Sequence, residues 1–276
     1  MNNSNAHFER PRTAASLILA AGKGSRMRGY DGNKTLLPLL PKARNPYEGS
    51  HPILVEVLEN LPPGPKGIVV HHRAEDVRRE TSSMDCTYIF QPVTDGTGGA
   101  VLAARPFLKN LEEKAIIITM GDVPLIHRQT YARLLQGLEA AHMNVLAFHP
   151  EDSAQYGKLD VQEKRVQRIV EWQYWRSMQG QMQQAPCNAG VYAVDRSALL
   201  EGLDALAQRP HDVRKQRDGR WVVIQEYFLT DLVEIFNAQG LTVTLTMAEP
   251  WEVMGVDTPK ALAEVQKIYR LRQGNN

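Results

Sequence analysis

The chain has 276 residues, 43% of them hydrophobic and 23% charged, a balance that excludes a disordered or fibrous chain and allows a sizeable core. Its formal net charge of +1 excludes an overall electrostatic drive toward nucleic acid or a membrane surface, so any bound phosphate must be met by locally placed groups. Two cysteines, Cys86 and Cys187, with no CxxC or histidine spacing around them, exclude a disulfide framework and a zinc site and read as reduced thiols. Residues 1–12 lack the apolar run of a secretory signal and read as a flexible tail. The first apolar run, Leu17 to Ala21, is far too short to span a bilayer, and the expected location is the cytoplasm.

In chain order, the apolar run Ser16–Ala20 predicts a buried strand ending in a glycine-bearing turn. A helix is predicted over Ile53–Leu61, strands over Gly67–His72 and Tyr88–Phe90, and helical structure over Ala100–Leu108 after a glycine cluster. Ala115–Met120 predicts the most deeply buried strand, followed by a helix over Tyr131–Ala141 and a strand over Asn144–Phe148. Strands separated by helical segments imply βαβ units and a parallel sheet. In the later half, Gly157–Val161 and Val166–Val170 alternate like a hairpin, and Ala189–Val194 is a strand leading into a helix over Ser197–Ala207. The charged stretch Arg209–Arg220 has the composition of an exposed loop. Thr230–Gln239 is helical, Thr242–Met247 a strand, and Pro259–Arg272 a closing amphipathic helix.

The first strand runs directly into Leu19-Ala20-Ala21-Gly22-Lys23-Gly24-Ser25-Arg26-Met27. Glycines here let the backbone turn tightly and bring its N–H groups close to phosphate oxygens. Lys23, Arg26 and, further on, Lys34 add the positive charge that a triphosphate requires. The bland alternative is a tight turn with solvated basic residues. The dinucleotide GxGxxG and the GxxxxGK[ST] loops are both absent.

Gln91-Pro92-Val93-Thr94-Asp95-Gly96-Thr97-Gly98-Gly99 joins an amide offering both donor and acceptor, as a pyrimidine edge needs, to a helix start suited to an anion or a ribose hydroxyl. Equally, Thr97 reads as the cap of an ordinary helix. In Gly121-Asp122-Val123-Pro124-Leu125 the carboxylate follows the apolar strand at its carboxyl end, where ligands of open parallel sheets collect and where Mg²⁺ finds an oxygen ligand. Asp122 also reads as a simple turn residue.

These motifs together resemble the nucleotidyltransferases that activate sugar 1-phosphates, above all the N-terminal pyrophosphorylase domain of bacterial N-acetylglucosamine-1-phosphate uridylyltransferases. The resemblance covers most of Leu17–Leu271, with the motifs in the family's order. It implies an α/β fold of Rossmann-like type: a mixed, mainly parallel sheet with helices on both faces and a small substrate-covering β-rich lobe. It implies one domain over residues 13–276, with a nucleotide-binding half to about residue 150 and an acceptor-binding half from about residue 151. By resemblance, Leu19, Ala20, Ala21, Gly22, Lys23, Gly24, Gln91, Gly96 and Thr97 bind the nucleotide, UTP being favoured, while Arg26 and Lys34 stabilise the reacting phosphates. Asn33 stands where the family has proline, and the spacing from Arg26 to Lys34 is about one residue longer.

The resemblance also makes Asp122 and Asp257, in Gly255-Val256-Asp257, a pair of Mg²⁺ ligands. Read alone, Asp257 is an N-cap for the last helix. Gly157, Glu171 and Asn188 match the residues that hold the phosphorylated acceptor, a sugar 1-phosphate. For Glu171 the alternative is a solvated residue ending a strand. Glu226-Tyr227-Phe228-Leu229-Thr230-Asp231 resembles Glu-Tyr-Tyr-Leu-Thr-Asp, with Thr230 and Asp231 also readable as helix caps. Residues 41–52 and 209–223 read as insertions, and Trp172–Gln184 as a different lid. Without a hexapeptide-repeat region, the acetyltransferase activity of the bifunctional relatives is expected to be missing. Other readings are the same chemistry on a non-hexosamine or non-sugar phosphate, and a nucleotide-sensing protein without turnover. Oligomeric state is not legible.

Overall fold

Short apolar runs with side chains for two buried faces become the strands at the centre of the computed structural model, which describes residues 13–24, 26–27, 29–150, 156–175, 182–217 and 220–274. The tail expected over residues 1–12 lies outside the described residues, as do Ser25 and residues 176–181 of the expected lid. The chain opens with β1 (Ala15–Leu19), the glycine-bearing loop and a 3-10 turn at Lys34–Leu36. A hairpin of β2 (Pro38–Lys42) and β3 (Asn45–Pro52) leads into α1 (Ile53–Asn60), β4 (Lys66–Val70), α2 (Ala74–Glu80) and β5 (Cys86–Phe90). Next come α3 (Gly96–Ala103), α4 (Arg105–Lys109), β6 (Ala115–Met120), α5 (Arg128–Gln136) and β7 (Met143–Phe148). The later half holds β8 (Lys158–Gln162), β9 (Arg165–Val170), the single turn α6 (Trp172–Trp175), β10 (Cys187–Asp195) and α7 (Arg196–Leu206). A further hairpin, β11 (His211–Arg217) and β12 (Arg220–Glu226), precedes α8 (Asp231–Ala238), β13 (Val243–Met247) and α9 (Pro259–Gln273).

The main sheet runs β13-β7-β10-β6-β1-β4-β5, with β8 and β9 attached beside β10. β1 is parallel to both β4 and β6, β4 to β5, and β13 to β7, whereas β10 is antiparallel to both of its long neighbours. The sheet is therefore mixed and mainly parallel. Strand alternation sends Leu17, Val69, Ile116 and Ile118 to one face, with Val101 of α3, Leu203 of α7 and Phe236 of α8. The next residues along, Ile18, Ile68, Val70 and Ile117, face Leu54 and Val57 of α1, Val77 of α2 and Leu134 of α5. Each such fully buried aliphatic side chain contributes roughly 1.5–3 kcal/mol of transfer free energy. A smaller cluster packs Leu262, Val265 and Tyr269 of α9 on Leu37, Leu39 and Ile53, fixing the β2–β3 hairpin to the end of the chain. No helix among the described residues is long and apolar enough to cross a membrane.

Several local expectations change. The stretch expected as an exposed loop, Arg209–Arg220, is mostly the antiparallel hairpin β11–β12, paired from His211↔Glu226 to Arg217↔Arg220. Its charge content hid an alternation in which Val213, Val222 and Ile224 share one face. The helix expected over Ala100–Leu108 starts earlier and is split at Ala104, with Pro106 in the first turn of the second piece, where its missing N–H is harmless. The β2–β3 hairpin fills the apparent insertion at 41–52; its prolines, tolerated only at strand edges, mask the pattern. The β8–β9 hairpin turns through Glu163 and Lys164, both at positive φ (47° and 69°), so the primed two-residue turn forms here without glycine or asparagine.

Candidate active site

Because β1, β4 and β6 run parallel, their carboxyl ends deliver three loops to one edge of the sheet. Hydrogen bonds from Ala20 N to Val69 O (2.9 Å) and from Gly121 N to Leu19 O (2.9 Å) keep these ends level. Gly24 sits at φ +62°, and a Cβ there would stand 3.3 Å from the aliphatic chain of Lys34, so the glycine loop lies directly over that lysine. Asn33, nearly inaccessible, holds the lysine in place. Its Nδ2 donates to Ala20 O (3.2 Å) and His72 O (2.9 Å), and its Oδ1 accepts from Thr35 N (3.1 Å) and Thr35 Oγ1 (2.9 Å). Where the resembling family has proline, this chain ties the β1 and β4 ends together through a side chain. Lys34 Nζ then forms an ion pair with Asp122 Oδ2.

Asp257 comes to the same edge from the far end of the chain. Val256 N donates to Asp122 O (2.9 Å), joining the two carboxylate-bearing loops, and Arg26 Nη1 pairs with Asp257 Oδ2 at 2.7 Å. The N-cap role available to Asp257 is not used: Thr258 caps α9, its Oγ1 accepting from Ala261 N at 3.2 Å. The two carboxylates on these joined loops offer oxygen donors only, the chemistry that a hard divalent cation such as Mg²⁺ takes.

A cleft of about 440 Å³ opens between the glycine loop and the start of α3. Leu19, Ala20, Ala21, Gly22, Lys23 and Gly24 line one wall, Gln91, Gly96 and Thr97 the other, with Lys34, Met120 and Asp122 at the junction. Two residues behave differently from the sequence reading. Gln91 is buried and its Nε2 donates to Asp95 Oδ1 (2.8 Å) and Gly96 O (3.3 Å), so the donor half of the expected base contact is committed within the protein. Thr97 does not cap α3, which begins at Gly96; its Oγ1 accepts from Leu229 N (3.3 Å) and ties the helix to the segment after β12. That docking is close. Gly98 N donates to Tyr227 O at 2.8 Å, and a Cβ on Gly98 would lie 2.8 Å from the Tyr227 backbone. Gly98→Ala is thus expected to destabilise the protein by about 1–3 kcal/mol, read as a lowered urea midpoint with unchanged slope. An unshifted midpoint would contradict this packing.

The residues predicted on the acceptor side also converge. Asn188 N donates to Gly157 O at 2.8 Å, and a Cβ on Gly157 would lie 3.5 Å from Glu171 Oε2. The Asn188 side chain spans a β-bulge, its Nδ2 donating to Tyr192 Oη (2.8 Å) and its Oδ1 accepting from Gly190 N (3.0 Å). Glu171 is partly buried. Its carboxyl pKa is raised by burial first and then by Asp231, against lowering by the Thr230 hydroxyl and His211. Neither Thr230 nor Asp231 caps α8 by its side chain: Thr230 Oγ1 donates to Glu171 Oε1 (2.8 Å) and Asp231 Oδ2 meets His211 Nε2 (2.7 Å). The hydroxyl pKa of Tyr156 is raised by burial first and then by Asp257, with Arg26 lowering it. Lys158 is fully buried, donating from Nζ to Gln183 O (2.6 Å) with its ammonium 4.7 Å from the Trp175 ring centre.

A carboxyl with a raised folded-state pKa favours the fold below its unfolded pKa and loses that advantage as pH rises through the folded value. Glu171→Gln keeps an acceptor for Thr230 but cannot ionise. It is expected to melt higher than wild type at pH 7, with the gain vanishing below the ordinary glutamate value of 4.5. Lower stability at pH 7 would show that the ionised carboxylate is instead supported by its neighbours.

Sequence reasoning missed Asn33 as a positioning residue and Lys215, which reaches the cleft from β11. An asparagine two residues before a threonine was the available signal for the first; the second had none.

Residues 16–223 match the family described as the MobA-like NTP transferase domain. The chain is 32% identical over 267 residues to the bifunctional protein GlmU of Rhodopseudomonas palustris, covering 95% of this chain and 54% of that protein. It is 33% identical over 261 residues to GlmU of Stutzerimonas stutzeri, covering 93% and 52%. The chain therefore spans about half the length of the curated relatives it matches. Among solved structures, the uridine diphosphate N-acetylglucosamine pyrophosphorylase of Trypanosoma brucei superposes with a TM-score of 0.69 at 14% identity, over 91% of this chain and 64% of that one. A Bacillus anthracis protein described as a glucose-1-phosphate thymidylyltransferase superposes with a TM-score of 0.66 at 17% identity, over 94% and 96%. At these identities the superpositions establish the shared fold.

Proposed function

The chain belongs to the MobA-like NTP transferase family, and from that premise we propose that it transfers a nucleoside monophosphate, UMP from UTP being favoured, to a sugar 1-phosphate and releases pyrophosphate. The observation that carries this reading is the bond from Val256 N to Asp122 O, which joins the loops bearing Asp122 and Asp257, each carboxylate holding a cation, Lys34 and Arg26 respectively. Residues 13–276 are read as one nucleotidyltransferase domain.

The glycine loop, Gly22 to Gly24, offers backbone N–H groups to the triphosphate, with Lys23 alongside. Lys34 and Arg26, each held on a carboxylate in the structure, are placed to take up phosphate charge as it develops. Asp122 and Asp257 would hold Mg²⁺, which when bound supplies further charge neutralisation at the phosphates. Gly157, Glu171 and Asn188 hold the acceptor, with Glu171 accepting from its hydroxyls. The acceptor's phosphate oxygen attacks the α-phosphorus in line, and the bond to the pyrophosphate oxygen breaks. A phosphate monoester is already an anionic nucleophile, so no strong general base is required and catalysis is positioning plus charge stabilisation.

The relatives named as GlmU and as a UDP-N-acetylglucosamine pyrophosphorylase support an N-acetylglucosamine 1-phosphate acceptor. The committed Gln91 amide and the buried Lys158 favour testing other pairs alongside it. Purified protein with Mg²⁺ is to be incubated with each of four nucleoside triphosphates crossed with phosphorylated acceptors, and the products weighed by mass spectrometry. A UDP-sugar supports the specific reading. A different nucleotide conjugate keeps the chemistry and moves the substrate.

A further inference from the structure

Three cations of this region rest on carboxylates: Lys34 on Asp122 in the cleft, Arg26 on Asp257, whose loop is joined to that of Asp122, and Lys215 on Glu226, again in the cleft. The first two belong to the motifs already described. The third comes from the β11–β12 hairpin, a separate two-stranded sheet: Glu226 opens the motif that continues to Asp231, whereas Lys215 lies in the stretch that reads as an insertion. His211, Val213 and Lys215 share a face with Glu226, Ile224 and Val222, opposite them in register. Lys215 and Glu226 both line the cleft that contains Gly22, Gly24 and Lys34.

The ion pair is not what seats the hairpin. Its base is held by His211 Nε2 on Asp231 Oδ2 (2.7 Å), by His211 stacked 4.3 Å from the Phe228 ring, and by Tyr227 N donating to Asp95 O (2.8 Å). Glu226 is nearly buried against Gly96, its side chain 8% exposed, whereas the Lys215 side chain is 48% exposed. A half-exposed lysine pair contributes at most about 1 kcal/mol to stability. Its ammonium has three N–H donors and a flexible four-carbon arm, so it can leave or share Glu226 to form a charge-assisted hydrogen bond with a phosphate oxygen.

We propose that Lys215 is a further nucleotide-binding residue, supplied by the hairpin, whose ammonium turns from Glu226 to the polyphosphate of the bound nucleotide. This rests on the reading of the cleft as a nucleotide site. The test is calorimetric titration of wild type, Lys215→Met, Lys215→Arg and Glu226→Gln with UMP, UDP and UTP. Lys215→Met is expected to weaken UTP binding about tenfold, and UMP binding less. Lys215→Arg restores most of the loss. Glu226→Gln removes the competing carboxylate and raises UTP affinity, and it keeps the test readable if Lys215→Met does not fold. Equal affinities for Lys215→Met and wild type, or the same loss in Glu226→Gln as in Lys215→Met, would overturn the assignment and leave the pair a structural one. Failure of wild type itself to bind any of the three would instead overturn the cleft reading, and this inference with it.

Discussion

Asp122→Asn is expected to lower turnover by about two to three orders of magnitude, with nucleotide affinity changed far less. The substitution keeps the size of the side chain and removes one of two carboxylates borne on loops that the Val256–Asp122 backbone bond joins. It also leaves Lys34, only 17% exposed, without its charged partner. The expected pattern is a kcat that falls with little change in nucleotide Kd, together with a demand for far more Mg²⁺. Near-wild-type turnover would overturn the assignment of Asp122.

Lys34→Met is expected to lower kcat by roughly a hundredfold while strengthening divalent-ion binding to the nucleotide-free protein. The two effects have opposite signs for one reason. Lys34 occupies an oxygen of Asp122 in this structure, so removing the ammonium frees that oxygen for a cation, but it also removes a charge meant for the phosphates. Titration with Mn²⁺ followed by electron paramagnetic resonance separates these effects from simple misfolding. Weaker ion binding combined with full turnover would make Lys34 a structural residue rather than a catalytic one.

Much of the fold was legible because the strands of the parallel core are continuous apolar runs. Ala115–Met120 was located to the residue, and β1, β4 and β7 within two residues, since burial on both faces leaves little room for polar residues. The hairpins were harder. In β11–β12 the alternation is carried by valines and an isoleucine set among lysines, arginines and aspartate, and charge content outweighed period. In β2–β3 the segment from residue 41 to 52 read as an insertion, and its prolines, which an edge hairpin tolerates, left no strand pattern to find.

The site was legible as a set of motifs and not as a set of contacts. The glycine loop and Asp122 follow strands whose ends must coincide once the sheet is parallel, so their meeting follows from topology. The arrival of Asp257 depends on α9 packing back over Leu37 and Ile53, a tertiary event with no local signal. Capping assignments failed for a related reason. Thr97, Thr230 and Asp257 all stand at helix starts, where their side chains are favoured as caps. Long-range partners won each time: the Leu229 amide, Glu171 and Arg26.

The central claim is tested most directly by pyrophosphate release from the purified chain with UTP and N-acetylglucosamine 1-phosphate, with and without Mg²⁺ and with and without the acceptor. The account predicts steady release that requires both the divalent cation and a phosphorylated acceptor. Measurable nucleotide binding with no release for any triphosphate and acceptor pair would contradict it, and would identify the chain as a nucleotide-sensing protein on the same fold.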